Sequence, residues 1–117
     1  MLFRSVLDIP GGIVEDGESF EEAALRELRE ETGYVGQSAQ LIGKLAVNPA
    51  ASDLLVRFCL VRDVKKVTEP MNTDTEQTAP VLMPISEAAQ AISNGEIESV
   101  FSAAGLMLAM TYLNSND

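Results

Sequence analysis

The sequence predicts an α+β or layered α/β/α domain. Three observations point that way. Residues 20–31 show helical apolar spacing behind a serine cap, residues 40–47 and 54–64 are rich in Val, Leu and Phe around a turn-rich loop, and residues 87–113 return to helical patterning. The 117 residues suffice for one domain, taken as 1–117, with a modest core. No repeat, low-complexity tract or linker divides them.

Taken in order, residues 2–9 read as a short strand ended by Pro10-Gly11-Gly12, which forces a turn. Ser19 and Glu22 then form an S-x-x-E capping box, with Glu21 and Glu22 in the first turn, where the helix dipole favours anions. Phe20, Ala24, Leu25 and Leu28 make an apolar stripe, and Gly33 fits a C-terminal stop, which predicts a helix over 20–31. Strands are predicted at 40–47 and 54–64, flanking Asn48-Pro49-Ala50-Ala51-Ser52-Asp53. Residues 67–79, with Pro70, Asn72 and Asp74, read as an exposed loop. Val81–Ile85 reads as a short strand, Ser86 as the cap of a helix over about 87–93 ended by Asn94-Gly95, and Ser99–Leu113 as a third helix. Met107 and Met110 on that helix read as core or interface packing.

Composition excludes much. There is no histidine, which removes Ser-His-Asp and Cys-His catalysis, histidine metal sites and histidine proton shuttles. Cys59 is the single cysteine, so neither an internal disulfide nor a multi-thiolate site is open. It lies in an apolar strand and reads as core rather than nucleophile. Carboxylates remain for acid, base and metal chemistry. The net charge is −10, and residues 12–34 hold eight acids against two bases. Such a surface repels bare nucleic acid and anionic membranes, and attracts polyanions only through a bridging divalent cation. The longest apolar stretch, Val100–Leu113, is shorter than the ~20 residues a membrane helix needs. No apolar signal-peptide core is visible near residue 1, and with a lone cysteine this leads to a cytoplasmic expectation.

The chemistry concentrates in GIVEDGESFEEAALRELREETGY, Gly12 to Tyr34. On a helix, Glu27 neighbours both Glu30 and Glu31, so three like charges crowd one surface. Two readings account for them: a solvated helix face, or a face that meets a cation. All-oxygen donors suit Mg²⁺ or Mn²⁺, whose coordination a phosphorylated ligand would complete. Arg26 can pair with Glu18 and brace the loop against the helix, and Gly11 and Gly12 let backbone come close to a metal or phosphate.

These residues resemble the Nudix box, G-x5-E-x7-R-E-U-x-E-E-x-G-U with U a bulky apolar residue. Gly12, Glu18, Arg26, Glu27, Leu28, Glu30, Glu31 and Gly33 all fall in register, and Tyr34 departs mildly at the last position. The resemblance implies a Nudix-like α/β/α sandwich with a mixed sheet. It implies a hydrolase acting on nucleoside diphosphates linked to another moiety, with Mg²⁺ or Mn²⁺ activating water against a pyrophosphate. It further implies Glu27 and Glu31 as metal ligands, Glu30 as a ligand or catalytic partner, the Gly12 carbonyl as a further ligand, and Glu18 and Arg26 as supports. Physical chemistry agrees: divalent metal neutralises pyrophosphate and acidifies bound water, and a carboxylate takes the proton.

IPGG before the box and NPA after it resemble the ADP-ribose pyrophosphatase branch, which has a proline about 16 residues after the box. Pro49 stands there, a candidate substrate contact or an ordinary turn proline. The resemblance of the later polar loop makes Glu76 a candidate catalytic base, or else a solvated loop glutamate. The box starts at residue 12, where the family usually has several strands first. A sheet without its first strands would expose an edge and an apolar face, so a homodimer whose partner covers them is expected. Two functional readings follow: a pyrophosphohydrolase on ADP-ribose or a nucleotide sugar, and a catalytically incomplete Nudix domain that binds nucleotide or metal, or serves in assembly.

Overall fold

Both halves of the predicted capping box form. In the computed structural model, which describes residues 7–72 and 78–115, helix α1 runs Phe20–Thr32. The Ser19 hydroxyl accepts the Glu22 N–H at 3.0 Å, and the Glu22 carboxylate accepts the Ser19 N–H at 2.9 Å. Two donors that a helix start leaves unpaired are thereby satisfied. The helix ends at Gly33, whose φ of 77° is left-handed and whose N–H returns to the Arg29 carbonyl at 2.8 Å.

The chain divides into two compact units, Pro10–Val81 and, in the other, Met1–Ile9 with Leu82–Asp117. In the first, strands β1 (Tyr34–Val35), β2 (Ala39–Ala46), β3 (Leu55–Val61) and β4 (Lys65–Lys66) follow α1. β2 and β3 pair antiparallel from Ala39↔Val61 to Ala46↔Leu55, and β1 pairs antiparallel with β4. The register shifts between Leu41 and Gly43, where β2 carries one extra residue, Ile42. A glycine inside a strand accommodates such a bulge. Among the described residues the strands thus form two antiparallel ladders beside the helices. The 47–54 connection returns β3 alongside β2, and that hairpin brings the chain back so that β4 meets β1. The α+β class holds.

Helix α1 packs on β1, β2 and β3. Ala23 and Phe58 are buried there, while Phe20 is 40% exposed and lies under the Arg57 guanidinium, 4.1 Å from its ring centroid. The predicted stripe is thus only half-buried at Ala24, Leu25 and Leu28 and open at Phe20, while Ala23 is the buried residue of α1. Cys59 is half-buried on β3. Burial, and then the negative charge of Glu21, push its thiol pKa up, the opposite of nucleophile activation.

The second unit contains a 3₁₀ turn (Ile85–Glu87), helix α2 (Ala88–Ser93) and helix α3 (Val100–Ser115). Ala88, Ala91, Ile97 and Ser102 are its buried side chains. The strand expected at Val81–Ile85 does not form. Pro80 and Pro84 lack ladder donors, and Pro84 instead precedes the 3₁₀ turn. Ser86 lies inside that turn rather than capping α2, which starts behind Glu87 without a side-chain cap. Ser99 accepts the Ser102 N–H at 3.3 Å at the head of α3. Of the strand expected at 2–9, residues 2–6 lie outside the described residues and 7–9 are not in a strand. Buried Ser102 holds that segment instead, donating to Asp8 and accepting the Ile9 N–H at 3.0 Å. Among the described residues no helix is long and apolar enough to cross a membrane.

Candidate active site

The Pro10–Val81 unit contains a recess of about 580 Å³ lined by Gly11, Gly12, Glu27, Glu30 and Glu31 among others. Helical spacing puts the three glutamates on one surface of α1, and the preceding loop brings the glycines against them. The backbone at Gly12 lies so close that an added Cβ would stand 2.3 Å from Glu27 Oε1. The Gly11 N–H donates to Glu31 Oε2 at 2.8 Å. A side chain at position 12 would push the Glu27 carboxylate aside, so the box glycine leaves that carboxylate where it stands.

Arg26 is the hub of this arrangement. Its Nε and Nη2 donate to the two Glu18 oxygens at 2.7 and 3.1 Å, a bidentate fork. Nη2 also donates to the Ile13 carbonyl at 3.0 Å. Nη1 donates to Glu27 Oε1 at 2.8 Å and Glu30 Oε2 at 3.2 Å, and stands 3.7 Å from Glu15 Oε1. The loop closes on itself through Glu18 N–H to the Glu15 carbonyl and Glu15 N–H to Glu18 Oε1, with Gly17 at φ 82° between them. Glu18 and Arg26 therefore brace the loop against the helix as their spacing suggests.

The Arg26 fork, and then the Glu15 N–H, hold the Glu18 carboxyl below the usual carboxylate range. Glu18, and then Glu27, raise the Arg26 pKa, so it stays cationic throughout. A carboxylate with a depressed folded-state pKa stabilises the fold above its unfolded value and loses that contribution as pH falls through the folded value. In acid denaturation, the advantage of the wild type over Glu18→Gln is expected to be constant above the ordinary value of 4.5 and to vanish as pH falls into the depressed range. An advantage unchanged down to the acid-unfolding limit would contradict the fork.

Glu27, Glu30, Glu31 and Gly12, all expected ligands, thus line one recess. The donors fit a hard divalent cation, being all oxygen, and the glycine cradle is one that a Cβ would fill. Among the described residues, no three acidic or cysteine side chains already converge on one point. Glu27 and Glu30 are turned to Arg26, and Glu31 accepts from Gly11. Pro49 is brought elsewhere: it lies in the exposed turn between β2 and β3 and is not part of the recess wall. Glu76 lies outside the described residues.

Sequence reasoning missed Glu15, Met71 and Thr78, which also line the recess. The Thr78 hydroxyl donates to the Glu31 carbonyl at 2.8 Å, and the Met71 N–H donates to the Glu30 carbonyl at 2.7 Å. These contacts tie Met71 and Thr78 to the last turn of α1, where helix carbonyls have no intrahelical partner. Backbone acceptors leave no residue-type signature, so no local pattern marks them.

The chain is 30% identical over 97 residues to an ADP-ribose pyrophosphatase of Bacillus subtilis, covering 82% of this chain and 52% of that protein. It is 32% identical over 106 residues to an ADP-ribose pyrophosphatase of Mycobacterium tuberculosis, covering 89% and 51%. Over 47 residues it is 51% identical to an ADP-sugar pyrophosphatase of Mus musculus, covering 40% and 22%. The chain spans about half the length of the first two of these curated relatives. The model of the NUDIX domain matches residues 2–103, a span that holds the glutamate helix, its glycine cradle and the Glu18–Arg26 fork, and the chain belongs to that family.

Proposed function

We propose that this chain is a divalent-metal-dependent pyrophosphohydrolase acting on a nucleoside diphosphate derivative, ADP-ribose or a nucleotide sugar, and releasing a nucleoside monophosphate and a sugar phosphate. One observation supports this above the others: Glu27, Glu30 and Glu31 line the same recess as the Gly12 backbone. Glu27, Glu31 and the Gly12 carbonyl would hold Mg²⁺ or Mn²⁺, with Glu30 as a ligand or as an acceptor of the proton from water. Bound there, the metal supplies charge neutralisation of the pyrophosphate and acidification of water. Glu18 and Arg26 keep the loop that presents Gly12 in place. Glu76 as the catalytic base and Pro49 as a substrate contact rest on the resemblance alone. The names of the relatives support ADP-ribose and ADP-sugars as the first substrates to try.

The test is phosphate release in a phosphatase-coupled assay with Mg²⁺ or Mn²⁺. The panel holds ADP-ribose, nucleotide sugars, dinucleoside polyphosphates and nucleoside triphosphates, with Glu31→Gln as control. Turnover that needs metal and disappears in the control supports the reading. No turnover across the panel, from folded protein, moves it to a catalytically incomplete domain.

A homodimer belongs to the same reading. Leu41, Leu45 and Leu55 on the β2–β3 ladder are 44, 43 and 38% exposed. Among the described residues, the outer edges of that ladder pair with no further strand. A second copy covering them gives twice the chain mass by light scattering at micromolar concentration, and a single-chain mass refutes it.

A further inference from the structure

Arg26 presents its nitrogens to two different sets of oxygens. Nε and Nη2 are closed on Glu18, with Nη2 also on the Ile13 carbonyl. Nη1 faces Glu27 at 2.8 Å and Glu30 at 3.2 Å, two of the three glutamates that line the recess proposed above for the metal. We infer that Arg26 is a competing counter-cation: a divalent ion taken up by Glu27 and Glu30 displaces Nη1 from them, while the Glu18 fork keeps the rest of the guanidinium in place. This rests on the metal-site reading above.

Glutamates at i, i+3 and i+4 repel one another, so adjacent positive charge stabilises their common face. Arg26 supplies that charge from one nitrogen, and it stays protonated at every working pH. An N–H pointed at a carboxylate oxygen and a metal ion on that same lone pair exclude each other, through both sterics and like-charge repulsion. The bidentate grip of Glu18 fixes the guanidinium plane independently of Glu27 and Glu30, so the Nη1 contacts can exchange without the loop coming loose. Arg26 therefore does two things with opposite consequences. Through Glu18 it braces the loop, and through Nη1 it lowers the affinity of the carboxylates for the ion.

This predicts a sign that a purely structural arginine does not give. Mn²⁺ alone is titrated into folded wild type, Arg26→Gln and Arg26→Lys, and the free-ion electron paramagnetic resonance signal gives the affinity. Circular dichroism checks the fold. Arg26→Gln is expected to bind Mn²⁺ tighter by on the order of tenfold, because one positive charge a few ångströms from a divalent ion is removed. Arg26→Lys keeps the charge and stays nearer to wild type. Weaker or unchanged binding by Arg26→Gln, with wild type binding normally, overturns the inference and leaves the metal reading intact. No Mn²⁺ binding by wild type overturns both.

Should Arg26→Gln not fold, guanidinium nitrogen resonances of the wild-type chain give the same answer during a Mg²⁺ titration. The Arg26 Nη resonance is expected to move while its Nε stays. Mg²⁺ binding that moves neither overturns the inference.

Discussion

Glu31→Gln is expected to lower metal-dependent turnover by about a hundredfold or more, the scale seen when one electrostatic group of an active site is removed. Its far-ultraviolet circular dichroism and thermal midpoint should stay close to those of wild type. Glutamine keeps the length of the side chain and an oxygen that can accept the Gly11 N–H, now held at 2.8 Å. What it loses is a negative charge and a hard anionic donor in the recess. The fold at this point depends on the hydrogen bond, and the proposed chemistry depends on the charge. Steady-state rates under saturating metal separate the two, and turnover within tenfold of wild type removes Glu31 from the proposed site. A variant that unfolds would instead show that the loop at Gly11 depends on the full carboxylate.

Gly33→Ala should be the most damaging small substitution in the Pro10–Val81 unit. Two effects combine. The backbone at 33 sits at φ 77°, where a side chain costs roughly 1–2 kcal/mol. An added Cβ would also stand 1.9 Å from the Thr68 carbonyl oxygen, part of the backbone rather than the end of a flexible side chain. The Gly33 carbonyl accepts the N–H groups of Val67 and Thr68 at 2.9 and 3.3 Å, so the clash falls on hydrogen bonds that hold the 67–68 segment to the end of α1. A total loss of about 3 kcal/mol is expected, combining the conformational cost with overpacking. Urea denaturation measures it directly, and a loss under about 1 kcal/mol would show that the segment yields freely.

The site was legible in the sequence where chemistry depends on residue type at fixed spacing. Helix periodicity alone places Glu27, Glu30 and Glu31 together, and the pairing of Glu18 with Arg26 needs only the turn that Gly17 permits. Ser19, Glu22 and Gly33 announce both ends of α1, because caps are local hydrogen-bond devices with strong residue preferences. Legibility fails where partners are distant in sequence. The Val81–Ile85 segment has strand-like composition, yet its neighbouring prolines and the 3₁₀ turn prevail, since strand composition matters only where another strand supplies a ladder. Phe20 fits the apolar stripe by spacing but is exposed under Arg57, a neighbour 37 residues away.

By itself the sequence determined the glutamate helix, its caps, the glycine approach and the α+β class, because each follows from side-chain type and local period. Tertiary structure alone decided that Arg26 divides its nitrogens between Glu18 and the pair Glu27 and Glu30, and that Pro49 stands apart from the recess. It alone decided that Met71 and Thr78 close on the carbonyls of Glu30 and Glu31. Those arrangements depend on where a guanidinium with several competing acceptors turns, and on which backbone atoms reach a helix end. Neither is encoded in residue type, because every residue carries a carbonyl and an arginine can serve several carboxylates at once.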